Sequence, residues 1–215
     1  MSHTLLPEFL TLASVHFVAM AAPGPDFTLV MSQSVRHGRS AGIWVSLGIA
    51  AGLSIHVIYT VLGVGALMHT TPWLLNVART SGAAYIGYVA WRMLRAQAAG
   101  ATSGPAAEKK ASSAQTSARE LFAMGFLTNA TNPKVTLFFL AIFTSVVDAQ
   151  TPPWAQAGYG AWMCMVNAIW FSLVATFFAT RRVRDLFLRL GHWFERIMGL
   201  LLMLFALRLL WEMTG

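Results

Sequence analysis

Two short motifs place helix-breaking residues and a charge inside long apolar stretches of this chain. They are Pro23-Gly24-Pro25-Asp26 and Asn132-Pro133-Lys134. Proline removes a backbone donor and clashes with the preceding turn, so an apolar helix that contains it kinks or unwinds. In a bilayer such a break is tolerated only where the freed backbone is buried in protein or lines a cavity. A charge at that depth costs about 3 kcal/mol and indicates a functional site.

The first motif offers backbone groups and a carboxylate to a ligand. A break at Pro23, Gly24 and Pro25 exposes unpaired amides and carbonyls, which can hold polar ligand groups as half-helix ends do. Asp26 adds a charge that a simple kink would not require, which favours a binding role. The alternative is a structural kink with Asp26 turned toward cytoplasmic water.

The second motif extends a stripe of polar residues along one face of a regular helix. The stripe consists of Asn129, Asn132, Pro133 and Thr136. Its two amides can hydrogen-bond a substrate's amino or carboxyl group. Lys134 lies off the stripe unless the break redirects it, and it can hold a carboxylate or pair with Asp26. The alternative is hydrogen bonding between helices, which is common in membrane bundles.

Other polar residues in the apolar stretches are weaker candidates. His16 and His56 are candidate members of a proton relay, although a lone histidine beside an apolar helix is more often only hydrogen-bonded. Asn167 is a weaker candidate for the binding site. Gly48 and Gly52 predict close helix packing. No catalytic, phosphate-binding or metal-ligand pattern is convincing, so we expect neither an enzyme nor a metal or other cofactor.

The composition is that of a membrane protein. Hydrophobic residues make up 56% of the 215 residues and charged residues 11%, with a mean hydropathy of +0.59. Soluble proteins contain about 25% charged residues. The net charge of +7 comes from basic residues in short loops between apolar runs. That distribution is typical of cytoplasmic membrane loops, and nucleic acid is not an expected partner.

Six segments are long and apolar enough to cross a bilayer, which takes about 20 residues. They are residues 8–30, 41–67, 72–94, 120–147, 154–179 and 191–212. Residues 96–119 are rich in Ala, Ser and Gly and predict a flexible, solvated linker. We therefore expect an all-α integral membrane protein, a single transporter domain over residues 1–215 with three-helix halves at 1–95 and 120–215.

Basic residues predict the orientation of these spans. The loops after spans 1, 3 and 5 contain Arg36, Arg39, Arg92, Arg95, Lys109, Lys110, Arg119, Arg181, Arg182, Arg184 and Arg189, whereas the N-terminus and the loops after spans 2 and 4 contain none. The positive-inside rule puts the basic loops in the cytoplasm and both termini outside. Because each half has three spans, the second half inserts upside down. This 3+3 inverted repeat brings the breaks in helices 1 and 4 together near the midplane.

Four segments of the chain resemble the LysE/RhtB-type amino acid exporter family. They are APGPDFTLV, HGRSAGIWVSLGIAAG, SGAAYIGYVAWRMLR and FAMGFLTNATNPKVTLFFLAIF, and the resemblance covers nearly the whole chain. It implies export of amino acids or their derivatives across the bacterial inner membrane, driven by the proton gradient. The family's motif positions correspond to Pro23, Gly24, Pro25, Asp26, Asn129, Asn132, Pro133 and Lys134.

We therefore expect an exporter that works by alternating access around the two broken helices. Asp26 is expected to take up the coupling proton, while Lys134, Asn129 and Asn132 orient the substrate. One acid and one base suit a zwitterion, which favours neutral amino acids such as homoserine, threonine or leucine. Protons and lipids are the other expected partners, and a second copy of the chain is an additional candidate. The rival interpretations are an uncoupled solute channel and, less favoured, a membrane-embedded enzyme or lipid-handling protein.

Overall fold

The computed structural model describes residues 5–70, 72–96, 116–148 and 150–214. These residues form eight helices: α1 (Leu5–Ala21), α2 (Pro25–His37), α3 (Arg39–Thr70), α4 (Pro72–Leu94), α5 (Ala118–Ala130), α6 (Pro133–Ser145), α7 (Pro153–Phe178) and α8 (Arg181–Thr214). No strand occurs in the described part of the chain. The all-α prediction is confirmed there.

Two of the described helices are long and apolar enough to cross a membrane by themselves. They are the part of α3 at Arg39–Gly63 and the whole of α7. The pair of α1 and α2 makes a third if it is counted as one span bent by 52°. Helix α4 has the bounds of the predicted third span. The count of six spans and the inverted repeat stay predictions.

Two predicted cytoplasmic loops are largely helical. Helix α2 continues to His37, and α8 begins at Arg181, ten residues before the predicted sixth span. Arginine and leucine are strong helix formers, so basic segments at a membrane surface can extend the helices beside them. Only Gly38 separates α2 from α3, and its φ of 86° is one that favours glycine.

Most of the predicted linker, residues 97–115, lies outside the described residues. Its end is described, because α5 begins at Ala118 and so includes the last two predicted linker residues. Ser117 and Glu120 form a capping box, with Ser117 N donating to Glu120 Oε2 (2.8 Å) and Glu120 N donating to Ser117 Oγ (3.2 Å). This reciprocal capping satisfies backbone donors at the start of the helix and fixes its first residue.

Both motifs coincide with helix boundaries. Helix α1 ends at Ala21, and α2 begins at Pro25 with Gly24 in extended conformation before it. Helix α5 ends at Ala130, and α6 begins at Pro133, where the Asn132 side chain accepts from Lys134 N at 3.0 Å. Proline suits the first helical position because its fixed φ is pre-organised and its missing N–H is not needed there.

Glycines bring α3 and α5 into close contact, which sets the position of the second motif. A Cβ atom on Gly48 would overlap the Phe122 carbonyl, and one on Gly125 would overlap the Val45 carbonyl. At Gly52 a Cβ would lie 2.6 Å from the Phe126 carbonyl oxygen. The interpretation of Gly48 and Gly52 as packing residues is confirmed. This approach of the two backbones holds the end of α5 against α3.

Candidate functional site

Residues of both motifs line one cavity between the helices. The cavity leaves about 50 Å³ in which the centre of a water molecule can lie. About 10–15 Å³ of such space suffices for one water, so the cavity is large enough for several waters or a small solute. Its polar lining includes His16, Asp26, Asn129, Asn132, Lys134 and Asn167. Phenylalanines supply much of the apolar wall, namely Phe27, Phe138, Phe139 and Phe171.

Asp26 and Asn129 connect the two motifs directly. Asn129 Nδ2 donates to Asp26 Oδ2 at 2.8 Å. Both side chains are buried, with Asp26 9% exposed and Asn129 fully covered. Asp26 Oδ1 and Asn129 Oδ1 are buried without a hydrogen-bond partner. Because buried polar atoms are nearly always paired, two unpaired acceptors in one cavity mark a place for a ligand or water.

Asp26 also lies in the first turn of α2, where the helix dipole favours negative charge. Gly24, which precedes that turn, has no side chain to cap the free N–H groups. A carboxylate or another anionic group is therefore stabilised at this end of the cavity.

Lys134 extends from α6 to the end of α1. Its ammonium donates to the carbonyl oxygens of Ala19 and Ala22, each at 3.4 Å. These carbonyls lie at the negative end of the α1 dipole, where a cation is favourable. Both distances exceed the usual range of about 2.7–3.2 Å, so the ammonium is held loosely enough to take up another acceptor. Of the two roles considered for it from the sequence, holding a carboxylate or pairing with Asp26, the direct pairing is not among the described contacts.

His56 holds the end of α5. Its Nε2 donates to the main-chain oxygen of Asn129 at 2.9 Å, and its Nδ1 lies 2.9 Å from the Tyr59 hydroxyl. The same Asn129 oxygen accepts from Asn132 N at 2.9 Å. With both ring nitrogens engaged, His56 has the contacts of a hydrogen-bonded structural residue, the interpretation that the sequence favoured over a proton relay.

Two further polar side chains reach the cavity from α1 and α7. His16 is 3% exposed and Asn167 is 4% exposed. His16 Nε2 and Asn167 Oδ1 are buried without partners. On sequence alone, both are weaker candidates than the motif residues. The signals that could have raised them are the position of His16 two turns before Pro23 and the isolation of Asn167 in an apolar helix.

The structure separates the eight predicted site residues into two groups. Gly24, Pro25, Asp26, Asn129, Asn132 and Lys134 line the cavity. Pro23 and Pro133 do not line it and instead flank the helix ends. Within the described residues, no group of three or more His, Cys, Asp or Glu side chains is placed to hold a metal ion.

Comparisons with known proteins give a consistent result. The family model described as LysE type translocator matches residues 17–213. The threonine efflux protein of Escherichia coli (strain K12) is 31% identical over 207 residues, covering 96% of this chain and 98% of that protein. The threonine efflux protein of Salmonella typhi is 30% identical over 209 residues, with the same coverage. No solved structure matches the chain.

Proposed function

Because this chain belongs to the LysE type translocator family, we propose that it exports small neutral amino acids, with threonine-like molecules favoured, across the bacterial inner membrane. Its family and its long apolar helices make it a multi-pass membrane protein, and members of the family are translocators rather than enzymes. The amino acid class rests on relatives that are named threonine efflux proteins.

The observation that supports this proposal most is the charge pattern of the cavity. Asp26 and Asn129 each present an unpaired oxygen, and Lys134 presents a loosely held ammonium. The two oxygens can accept from a substrate ammonium group, while Lys134 can donate to its carboxylate. One acid and one base in the same cavity suit a zwitterion, since a third charge on the substrate would lack a counter-charge in the cavity lining.

The remaining motif residues mainly determine where the helices begin and end. Pro25 and Pro133 begin α2 and α6, so that helix ends meet at the cavity in place of a continuous helix. Asn132 uses its side-chain oxygen to cap α6, and its side chain also lies beside the Asp26 carboxylate. Pro23 ends the first helical segment. In the proposed mechanism these ends are the hinges about which the two broken spans rock.

Asp26 is the proposed proton carrier. Its second oxygen is free to take up a proton from the cavity while the first stays bonded to Asn129. A membrane potential of 100 mV supplies about 2.3 kcal/mol per charge moved, so inward proton movement can drive outward transport. Binding of the proton and of the substrate ammonium at the same carboxylate makes the two exclusive, which couples their opposite movements.

The proposed topology is a single domain of two inverted three-helix halves joined by residues 96–119. Both termini lie in the periplasm, and the basic segments lie in the cytoplasm. The alternative is an uncoupled channel that uses the same cavity. A homodimer is compatible with the proposal but is not required, because the cavity is lined by one chain.

Transport by purified protein in liposomes tests the proposal. Vesicles are loaded with a panel of labelled amino acids, and efflux is followed with and without an imposed pH gradient. Movement of a neutral amino acid against its own gradient, only when the pH gradient is present, is the expected result. Movement that always follows the substrate gradient would favour the channel, and no movement of any amino acid would overturn the proposal.

A further inference from the structure

We infer that His16 and Asn167 form a second subsite, which hydrogen-bonds a hydroxyl group on the substrate's side chain. This inference rests on the proposed function, since it concerns which amino acid the cavity prefers. In this role His16 and Asn167, which lie outside both motifs, select between a hydroxylated substrate and an apolar substrate of the same size.

Burial and the lack of partners are the first argument. Both side chains are more than nine-tenths buried, and both line the cavity that contains Asp26 and Lys134. His16 Nε2 and Asn167 Oδ1 have no partner among the described residues. Leaving such a group unpaired costs about 1–3 kcal/mol, which is more than packing alone would justify when an apolar residue fits the same place.

The position of the pair along the cavity is the second argument. His16 precedes the last residue of α1, Ala21, by five residues, which corresponds to about 7.5 Å along the helix axis. The imidazole lies beside the Met163 carbonyl of α7, and Asn167 is one turn further along the same helix face. A small amino acid bound at Asp26, Asn129 and Lys134 can therefore direct its side chain toward this pair.

The chemistry of the pair fits a hydroxyl group. A hydroxyl both donates and accepts, so it can donate to His16 Nε2 or to Asn167 Oδ1 and accept from the Asn167 amide nitrogen. The surrounding wall is apolar, with Phe138 near the imidazole at a ring-centroid distance of 6.2 Å and Phe171 also lining the cavity. A purely aliphatic side chain would fill the same space but leave both polar atoms unpaired.

Threonine and valine test the inference, because they have nearly the same shape and differ by a hydroxyl in place of a methyl group. In proteoliposomes the wild-type protein is expected to take up labelled threonine in exchange for internal threonine, with excess unlabelled valine competing poorly. Asn167→Leu and His16→Leu should each reduce the preference for threonine over valine about tenfold or more. Exchange of valine itself should be kept or improved. His16→Gln, which retains an acceptor, should keep part of the preference.

Matched variants on the same helices control for general damage. Ser14→Ala in α1 and Thr176→Val in α7 each remove a hydroxyl that hydrogen-bonds to its own helix outside the cavity. Both should leave the preference for threonine over valine unchanged. Amino acid exchange with an unaltered threonine preference in Asn167→Leu and His16→Leu would overturn this inference and leave the proposed function intact. If the wild-type protein exchanges no amino acid, the proposed function and this inference both fall.

Discussion

The Asn129 side chain donates a 2.8 Å hydrogen bond to the Asp26 carboxylate across 103 residues of sequence. This bond joins the turn that begins α2 to the last turn of α5, so the two interrupted helices meet at their breaks. It leaves the other carboxylate oxygen unpaired and buried. The carboxylate is thereby oriented by one amide while it keeps a free oxygen for a proton or a substrate.

Asp26→Asn is expected to abolish export that is driven by a pH gradient. The change keeps the size of the side chain and an acceptor for Asn129 but removes the group that is proposed to take up the proton. Exchange of substrate across the membrane should persist in part, because exchange needs no net proton movement. Efflux and exchange in the same proteoliposomes measure the two activities, with Asp185→Asn at an exposed position of α8 as the control. Full gradient-driven export by Asp26→Asn would leave that carboxylate a structural role only.

Lys134→Gln is expected to weaken substrate binding in both efflux and exchange. A hydrogen bond to a charged group contributes about 1.5–3 kcal/mol, so the apparent KM should rise about tenfold or more. Glutamine keeps a hydrogen-bond donor on a flexible side chain, which limits the damage to the fold. Concentration dependence of exchange gives the KM, and Arg36→Gln at an exposed site is the control for loss of positive charge. An unchanged KM would assign Lys134 to capping α1 alone.

His56→Leu is expected to destabilise the protein without changing the pH profile of transport. The variant loses the hydrogen bonds to the Asn129 main chain and to Tyr59. The Asn129 carbonyl keeps its bond from Asn132, so the expected loss is only about 1 kcal/mol. Thermal unfolding in detergent measures the stability, and Tyr59→Phe, which keeps the bond from His56 to the Asn129 main chain, should have a smaller effect. A shifted pH profile with normal stability would instead assign His56 to a proton relay.

Gly125→Leu is expected to prevent correct assembly of the bundle. Any Cβ at this position overlaps the Val45 carbonyl. Moving the α3 backbone away would also move His56, which is hydrogen-bonded to Asn129 at the cavity. Gly158→Ala in α7 is the matched control, because a Cβ there has nothing within 4 Å, and it should be neutral or stabilising by up to about 1 kcal/mol. The yield of monodisperse protein after size-exclusion chromatography measures assembly. Normal yield and transport by Gly125→Leu would contradict the close approach of α3 and α5.

Reporter fusions test the orientation. A reporter that is active only outside the cytoplasm should work when fused after Met68, after Asp148 or at the C-terminus, and it should fail when fused within the linker after Ala96. A reporter that is active only in the cytoplasm should give the opposite pattern and is the control for expression. Activity of the outside reporter at the linker would overturn the orientation and the inverted repeat together.

The sequence determined the features that depend on local chemistry. Proline fixes its own φ and lacks an N–H, so Pro25 and Pro133 mark the first residues of α2 and α6 whatever surrounds them. The apolar run from residue 72 to residue 94 likewise gave the bounds of α4. Basic segments were harder to assign, because arginine and leucine support a helix as well as a loop, and α8 therefore begins earlier than predicted.

Only the tertiary structure decided which side chains meet. A regular helix would have turned Lys134 away from Asn129, but the break at Pro133 lets Lys134 reach the end of α1. His16 and Asn167 lie on different helices, and nothing in their neighbouring residues shows that both face one cavity. Contacts of this kind depend on how closely and at what angle the helices pack, which Gly48 and Gly125 set by admitting the facing backbone. Local sequence fixes where a helix begins and ends, whereas the packing of distant segments fixes what each of its faces touches.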